Sequence, residues 1–254
     1  MYRDPSSDLA GEPGAVGPSH APTYAAAWDR AFGHLDGEAL LEAMITRVFP
    51  GRIALVSSFG AEAAVLLDMV ARIDRSVPVL FLDTGKHFDA TLTYRDVLVR
   101  RFGLIDVRSL RPDPADLRHV DPDGNLHRHD PDMCCHIRKV APLERALSGF
   151  DAWITGRKRF QGTDRSKIEP VEVADNRVKI NPLAGWTAAR IDEAFRHRGL
   201  PRHPLFDNGF LSIGCEPCTR RVRDGEDSRS GRWAGFGKTE CGIHLPSEPA
   251  ARSH

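Results

Sequence analysis

Arg52-Ile53-Ala54-Leu55-Val56-Ser57-Ser58-Phe59-Gly60 runs directly into Ala61-Glu62-Ala63-Ala64-Val65-Leu66-Leu67-Asp68-Met69-Val70-Ala71-Arg72-Ile73. The first stretch is a short β-branched apolar run and reads as a buried strand. Ser57 to Gly60 is a turn, and the second stretch is a helix of good helix formers. The same unit recurs downstream. Val77-Pro78-Val79-Leu80-Phe81-Leu82 predicts a second strand, Asp83-Thr84-Gly85 its exit loop, residues 88–102 a helix and residues 104–107 a third strand. Strands and helices alternating across short turns indicate an α/β fold with a parallel sheet. Ligands in such sheets bind beyond the carboxyl ends of the strands, where 57–60 and 83–85 fall.

Upstream, residues 24–48 show a helical pattern interrupted near Gly33 and Gly37, with Asp36 as N-cap of the second piece. Downstream, 112–131 is irregular and rich in Asp, Pro and His, and 132–147 is helical. Residues 152–155 form a fourth strand and 156–167 a basic loop. Two short strands near 171–173 and 178–180 pair antiparallel across Asp175-Asn176. Thr187 caps a helix over 188–198, and the chain after Pro201 is loop-rich. No internal repeat is visible.

The 254 residues allow one large domain, alone or with a small appendage, since ordinary domains run to roughly 100–200 residues. Lys plus Arg and Asp plus Glu both number 35, and this neutral balance argues against a general nucleic-acid or membrane-surface binder. No run approaches the roughly 18 apolar residues of a membrane span. Asp4, Asp8 and Glu12 stand where a signal peptide would be basic and then apolar, so residues 1–23 read as a disordered leader. Cytoplasmic residence is the expectation. Five cysteines in that compartment point to metal or catalysis before disulfides.

Cys134-Cys135 and Cys215-Glu216-Pro217-Cys218 offer four soft ligands in two pairs. Buried core cysteines, a zinc site and an iron–sulfur cluster all fit such a set. Two separate pairs rarely arise for packing alone. Adjacent helical side chains diverge by about 100°, which is awkward around one small zinc ion and easier around a wider cubane. His127, His129 and His136 lie near the first pair, but four thiolates already complete a ligand set.

Cys241 stands apart, in Lys238-Thr239-Glu240-Cys241-Gly242-Ile243-His244. Cationic neighbours such as Lys238 and His244 lower a thiol pKa and favour a nucleophile. Gly235, Gly237 and Gly242 would let the segment move as a lid. The Gly237-Lys238-Thr239 run is no P-loop, because Arg232 occupies the position of the required upstream glycine.

Cys134-Cys135, the run from Ser212 to Arg220 and the run from Lys238 to His244 together resemble an assimilatory adenylyl-sulfate (APS) reductase of the APS/PAPS reductase family, over roughly residues 52–244. That family shares its nucleotide-binding fold with ATP pyrophosphatases, of the adenine nucleotide alpha hydrolase-like type. The resemblance implies a 4Fe–4S cluster on Cys134, Cys135, Cys215 and Cys218, and a nucleophile at Cys241. It implies substrate contacts from Ser57, Ser58, Phe59 and Gly60; from Leu82, Asp83, Thr84 and Gly85; and from Arg138, Lys139, Gly156, Arg159, Arg229, Arg232 and His244. Gly156-Arg157-Lys158-Arg159 departs from the more usual Gly-Gln-Arg-Arg pattern. The implied organisation is a nucleotide-binding domain over 24–211, a cluster loop and mobile catalytic tail over 212–246, and a disordered end over 247–254.

The implied chemistry suits these residue types. The sulfur of APS is electrophilic but ringed by negative oxygens, so an approaching thiolate needs fixed positive charge in a water-poor site. Arg138, Lys139, Arg229 and Arg232 are candidates for that charge, and Lys139 shares a helix face with Cys135. Cys241 takes the SO₃ unit as S-sulfocysteine, and thioredoxin or glutaredoxin releases sulfite by thiol exchange. In that scheme the cluster need not change oxidation state. No nucleic-acid or membrane partner is implied, and a homo-oligomer is compatible with the resemblance. Rival readings are a PAPS-using or dual-specificity reductase and a cluster-bearing redox sensor. A tRNA sulfur-insertion enzyme would need a Ser-Gly-Gly-Lys-Asp-Ser-like loop, which 58–63 lacks.

Overall fold

A computed structural model describes residues 21–162, 165–174 and 177–244. Of the disordered leader expected over 1–23, residues 1–20 lie outside the described residues and 21–23 are corrected to the first turn of a helix, Ala21–Phe32. The Asp175-Asn176 turn and the end from 247 also lie outside the described residues. In chain order the elements are α1 (Ala21–Phe32), α2 (Gly37–Glu42), β1 (Ile53–Ser57), α3 (Ala63–Ile73), β2 (Val79–Leu82), α4 (Asp89–Phe102) and β3 (Val107–Leu110). Then come α5 (Pro114–Val120), α6 (Pro131–Cys135), α7 (Ala141–Leu147), β4 (Ala152–Ile154), β5 (Val171–Ala174), β6 (Arg177–Ile180) and α8 (Ala188–His197). A π-helical segment, Ala43–Val48, extends α2, and another, His136–Val140, joins α6 to α7.

The six strands form one sheet in the order β3-β2-β1-β4-β6-β5, parallel except for the edge pair β5–β6. Alternate residues of the central strands serve opposite faces. Ile53, Leu55, Val79, Phe81 and Ile154 pack with α2, α3, α4 and α8 in the larger core. Ala54, Leu80, Leu82 and Trp153 pack with Leu143 and Leu147 of α7 in the smaller one. Both faces are covered, which is why these strands read as continuous apolar runs. Each fully buried Leu, Ile or Phe contributes about 1.5–3 kcal/mol. Chain order reverses at β1, which pairs with β2 on one side and β4 on the other. That switch point opens a crevice at the carboxyl ends of the strands.

Three local expectations are corrected. The third strand is Val107–Leu110, not 104–107. Gly103, at φ 63, ends α4, and Leu104 N–H donates back to Val99 O at 3.1 Å, so Leu104 belongs to the helix cap. Ile105 is 76% exposed, and β3 is an edge strand whose polar residues hide its period. Residues 114–120 form a helix inside the stretch read as irregular. Pro114 begins it and the Asp113 carboxylate accepts from Ala115 N–H at 2.7 Å, but none of its residues is buried, so it leaves no apolar stripe. Asp36 occupies the N-cap position of α2 without a capping bond, because its carboxylate pairs with Arg190. Thr187, by contrast, does accept from Arg190 N–H at 3.2 Å.

Candidate active site

A cavity of about 210 Å³ lies at the switch point. The turn after β1 supplies Ser57, Ser58 and Gly60. The loop after β4 supplies Thr155, Gly156, Arg157 and Lys158. Residues 211–215, 229, 232 and 233 close a third side, and Glu240, Cys241, Ile243 and His244 close the mouth. The turn is held from below. Phe59 sits at φ 48, unusual for a non-glycine residue, with its ring fully buried edge-on to Phe81, centroids 5.4 Å apart. Its N–H donates to Ser57 Oγ at 3.2 Å. Burying that ring leaves its neighbours, Ser57, Ser58 and Gly60, facing the cavity.

Six cations line the space: Lys139, Arg157, Lys158, Arg165, Arg229 and Arg232. Lys158 pairs with Glu62 at 2.7 Å and Arg157 with Glu172. Arg165 grips both oxygens of Glu240, Nη2 donating to Oε2 at 2.9 Å. Arg229 lies 3.5 Å from Glu240 and donates to Thr239 O at 2.9 Å. Burial, with Arg165 nearby, pushes the Arg229 guanidinium down to about 10. Arg232 has a buried Nε without a partner. Positive charge therefore exceeds the lining carboxylates, which suits an anionic ligand.

The tail crosses this charge. Cys241 is half-buried, Ile243 packs on the smaller core, and the His244 ring lies on Trp153. Lys179 Nζ donates to His244 O at 3.3 Å. The expectation of His244 as a cation beside Cys241 is corrected. Burial, with Arg157 and Lys179 nearby, holds its imidazole well below 6.5, so it is neutral at pH 7. Lys238 is engaged by Asp132. Lys139 and Arg229 are cations in electrostatic reach of Cys241. Burial pushes the Lys139 ammonium down, but negative charge on Cys215, Cys241 and Cys135 as thiolates more than offsets that and holds it above its ordinary value.

Lys139 also lines a second, smaller cavity, where Cys134, Cys135, Cys215 and Cys218 meet Lys86, His127 and Arg138. The sequence pairs are thus brought together from two elements. Asp130 caps α6, accepting from Met133 N–H at 2.9 Å. Glu216 N–H donates to Lys86 O at 2.7 Å, and Trp233 N–H to Cys218 O at 3.0 Å. Thr84 Oγ1 lies 3.2 Å from Cys215 Sγ. Among the described residues no three His, Cys, Asp or Glu groups are placed to hold one metal ion. The four thiols lining one cavity are nonetheless a soft donor set that fits a metal centre. Burial pushes the Cys134 thiol up to about 11 and raises Cys135 and Cys218, while Lys139, Thr84 and Arg232 together outweigh burial and lower Cys215. Ionising the three raised thiols therefore needs added positive charge beside them.

Of the sequence-predicted substrate residues, Ser57, Ser58, Gly60, Leu82, Lys139, Gly156, Arg229, Arg232 and His244 line the larger cavity with Cys241. The others do not. Phe59 faces the core. Asp83 accepts from Gly85 N–H and pairs with Arg111 at 3.0 Å. Thr84 is fully buried against Cys215, so the loop after β2 turns toward the thiols. Arg138 is buried, donating to Asp121 and to Thr84 O at 2.8 Å. Arg159 donates to Ile168 O and Glu169. Sequence reasoning missed Arg165, Gln161, Thr155 and Trp233. Arg165 and Gln161 lay inside the stretch read as a basic loop, but nothing local separated them from its other polar residues.

Fold and site together define an α/β protein with a cation-lined cavity at the switch point and a lone thiol at its mouth. The phosphoadenosine phosphosulfate reductase domain matches residues 52–221, and the chain belongs to that family. It is 52% identical over 221 residues to an adenosine 5′-phosphosulfate reductase of Mesorhizobium japonicum, covering 87% of each chain. It is 43% identical over 220 residues to a phosphoadenosine 5′-phosphosulfate reductase of Gloeobacter violaceus, covering 85% of this chain and 91% of that one. A phosphoadenylyl-sulfate reductase of Candida auris has the same fold, with a TM-score of 0.64 at 24% identity over 79% of this chain and 97% of that one.

Proposed function

We propose that Cys241 is the nucleophile of a sulfur-group oxidoreductase. The reaction is reduction of adenosine 5′-phosphosulfate to sulfite and AMP, in assimilatory sulfate reduction. The nucleotide lies at the switch point, its phosphosulfate among Lys139, Arg229 and Arg232 and its near side on the Ser57–Gly60 turn. The Cys241 thiolate attacks sulfur, the S–O bond to AMP breaks, and Cys241 carries S-sulfocysteine. A dithiol protein of the thioredoxin class attacks the Cys241 sulfur, sulfite leaves with the bonding pair, and the second thiol of that protein resolves the mixed disulfide. Two electrons pass from dithiol to sulfur, the dithiol leaves as a disulfide, and no further reductant is needed.

Cys134, Cys135, Cys215 and Cys218 would hold a 4Fe–4S cluster, which supplies fixed local charge and cross-links α6 to the 212–218 segment. Lys139 lines both cavities and keeps its proton, so it steadies charge at the substrate side. The division into a nucleotide-binding body over 24–211 and a catalytic tail from 212 follows these roles. No helix among the described residues is long and apolar enough to cross a membrane, and the reading places the chemistry in the cytoplasm.

The observation that carries this reading is Cys241 in one cavity with Lys139, Arg229 and Arg232. Incubation with ³⁵S-labelled APS followed by peptide mass analysis should give a sulfonate adduct on Cys241. C241S should keep its iron and visible absorbance while sulfite production stops. The Gloeobacter relative keeps PAPS in view as a substrate. Rates with both nucleotides decide, and a strong preference for PAPS would overturn the APS assignment.

A further inference from the structure

We propose that Glu240 and Arg165 form the pin that docks the tail, fixing Cys241 over the cavity as positioning residues and not as substrate ligands. The inference rests on the Cys241 reading. Glu240 immediately precedes Cys241. Its two oxygens accept from Nε and Nη2 of one guanidinium, the paired geometry that fixes orientation as well as distance. The side chains are only 10% and 16% exposed, unlike the solvated pairs that contribute little.

Arg165 is in turn anchored. Its Nη1 donates to Gln161 Oε1 at 2.7 Å, and Gln161 Nε2 donates to Glu62 at 2.7 Å, beside Lys158. The chain of contacts thus runs from the nucleophile's neighbour to the start of α3 and the loop after β4, the rigid wall of the site. Arg229 adds a bond to Thr239 O. A nucleophile held this way has little freedom to leave the mouth, which is what an attack on a bound sulfur requires.

E240Q and R165K, both iron-loaded, test the pin against three readouts: iodoacetamide labelling of Cys241 in free enzyme, single-turnover S-sulfonation by APS, and AMP affinity. Glutamine removes the charge, and lysine keeps its charge but loses the fork. Each variant should label about ten-fold faster and S-sulfonate about ten-fold more slowly, with the AMP dissociation constant within about two-fold of wild type. Unchanged labelling and S-sulfonation overturn the pin. So does an AMP affinity that weakens in step with S-sulfonation, which would make the pair part of the nucleotide site. Absence of S-sulfonate on wild-type Cys241 sinks the nucleophile reading instead, so the two failures are distinguishable.

Discussion

The imidazole of His244 stacks on the indole of Trp153, ring centroids 5.5 Å apart and planes 6° from parallel. Trp153 belongs to β4 and Lys179 of β6 lies 5.1 Å from the same ring, so the end of the tail is seated on the central sheet. Stacked aromatic pairs contribute about 0.5–1.5 kcal/mol beyond their buried area. W153L fills most of the space without the stack. It should open the tail and speed tryptic cleavage at Lys238 several-fold, roughly the rate factor of that energy. Cleavage at the wild-type rate would mean the stack holds nothing.

Buried His203 gives the fold an acid-side weakness. It is 1% exposed, its Nδ1 accepts from Leu205 N–H at 3.1 Å, and the tautomer this assigns lets Nε2–H donate to Thr91 Oγ1 at 3.0 Å. Burial pushes its pKa down from 6.5 to about 4. The unfolded chain therefore takes up a proton below pH 6.5 that the folded chain refuses. Stability present above pH 6.5 falls as pH drops toward 4, by on the order of 3 kcal/mol at most. H203Q should lose less Tm than wild type between pH 7 and pH 5. Equal losses would put the acid sensitivity elsewhere.

Asp121 and Arg138 form a buried ion pair behind the thiols, with side chains 2% and 8% exposed. Burial pushes the Asp121 carboxyl up, but the Arg138 bond, the Leu126 N–H bond and the charges of Arg138 and Lys86 together more than offset it and hold the group below the usual carboxylate range. D121A leaves the Arg138 charge buried and unpaired, at a cost of about 3–5 kcal/mol. Because Arg138 also donates to Thr84 O, and Thr84 meets Cys215, iron retention should fall with stability. Denaturant melts and iron assays on the same preparation check both. Full iron content in a destabilised D121A protein would separate the pair from the thiol site.

Gly214 lies under Arg232. A Cβ there would collide with Arg232 Nη2, the flexible end of a side chain. G214A should therefore fold with a change in stability within about 1 kcal/mol, while pushing the guanidinium out of place. The KM for APS should rise by about ten-fold, one charge-assisted bond's worth. A KM equal to wild type would show that Arg232 does not meet the substrate.

The strand–turn–helix unit of 52–73 was legible because hydrophobic period is local, and the two cysteine pairs were legible because thiols at such spacings have few other uses. Edge strand β3 and helix α5 were not, since neither buries an apolar face. The Asp36 cap failed because a distant Arg190 outcompeted the local N–H groups.

Sequence by itself determined the parallel α/β core, the four grouped thiols and the solitary fifth, for those follow from residue type and spacing along the chain. Only the tertiary structure decided that Arg138 serves the thiols while Lys139 lines both cavities, that His244 is neutral, and that Arg165 belongs to Glu240. Charge state and partnership depend on distance and burial in space, and a one-dimensional order of residues carries neither.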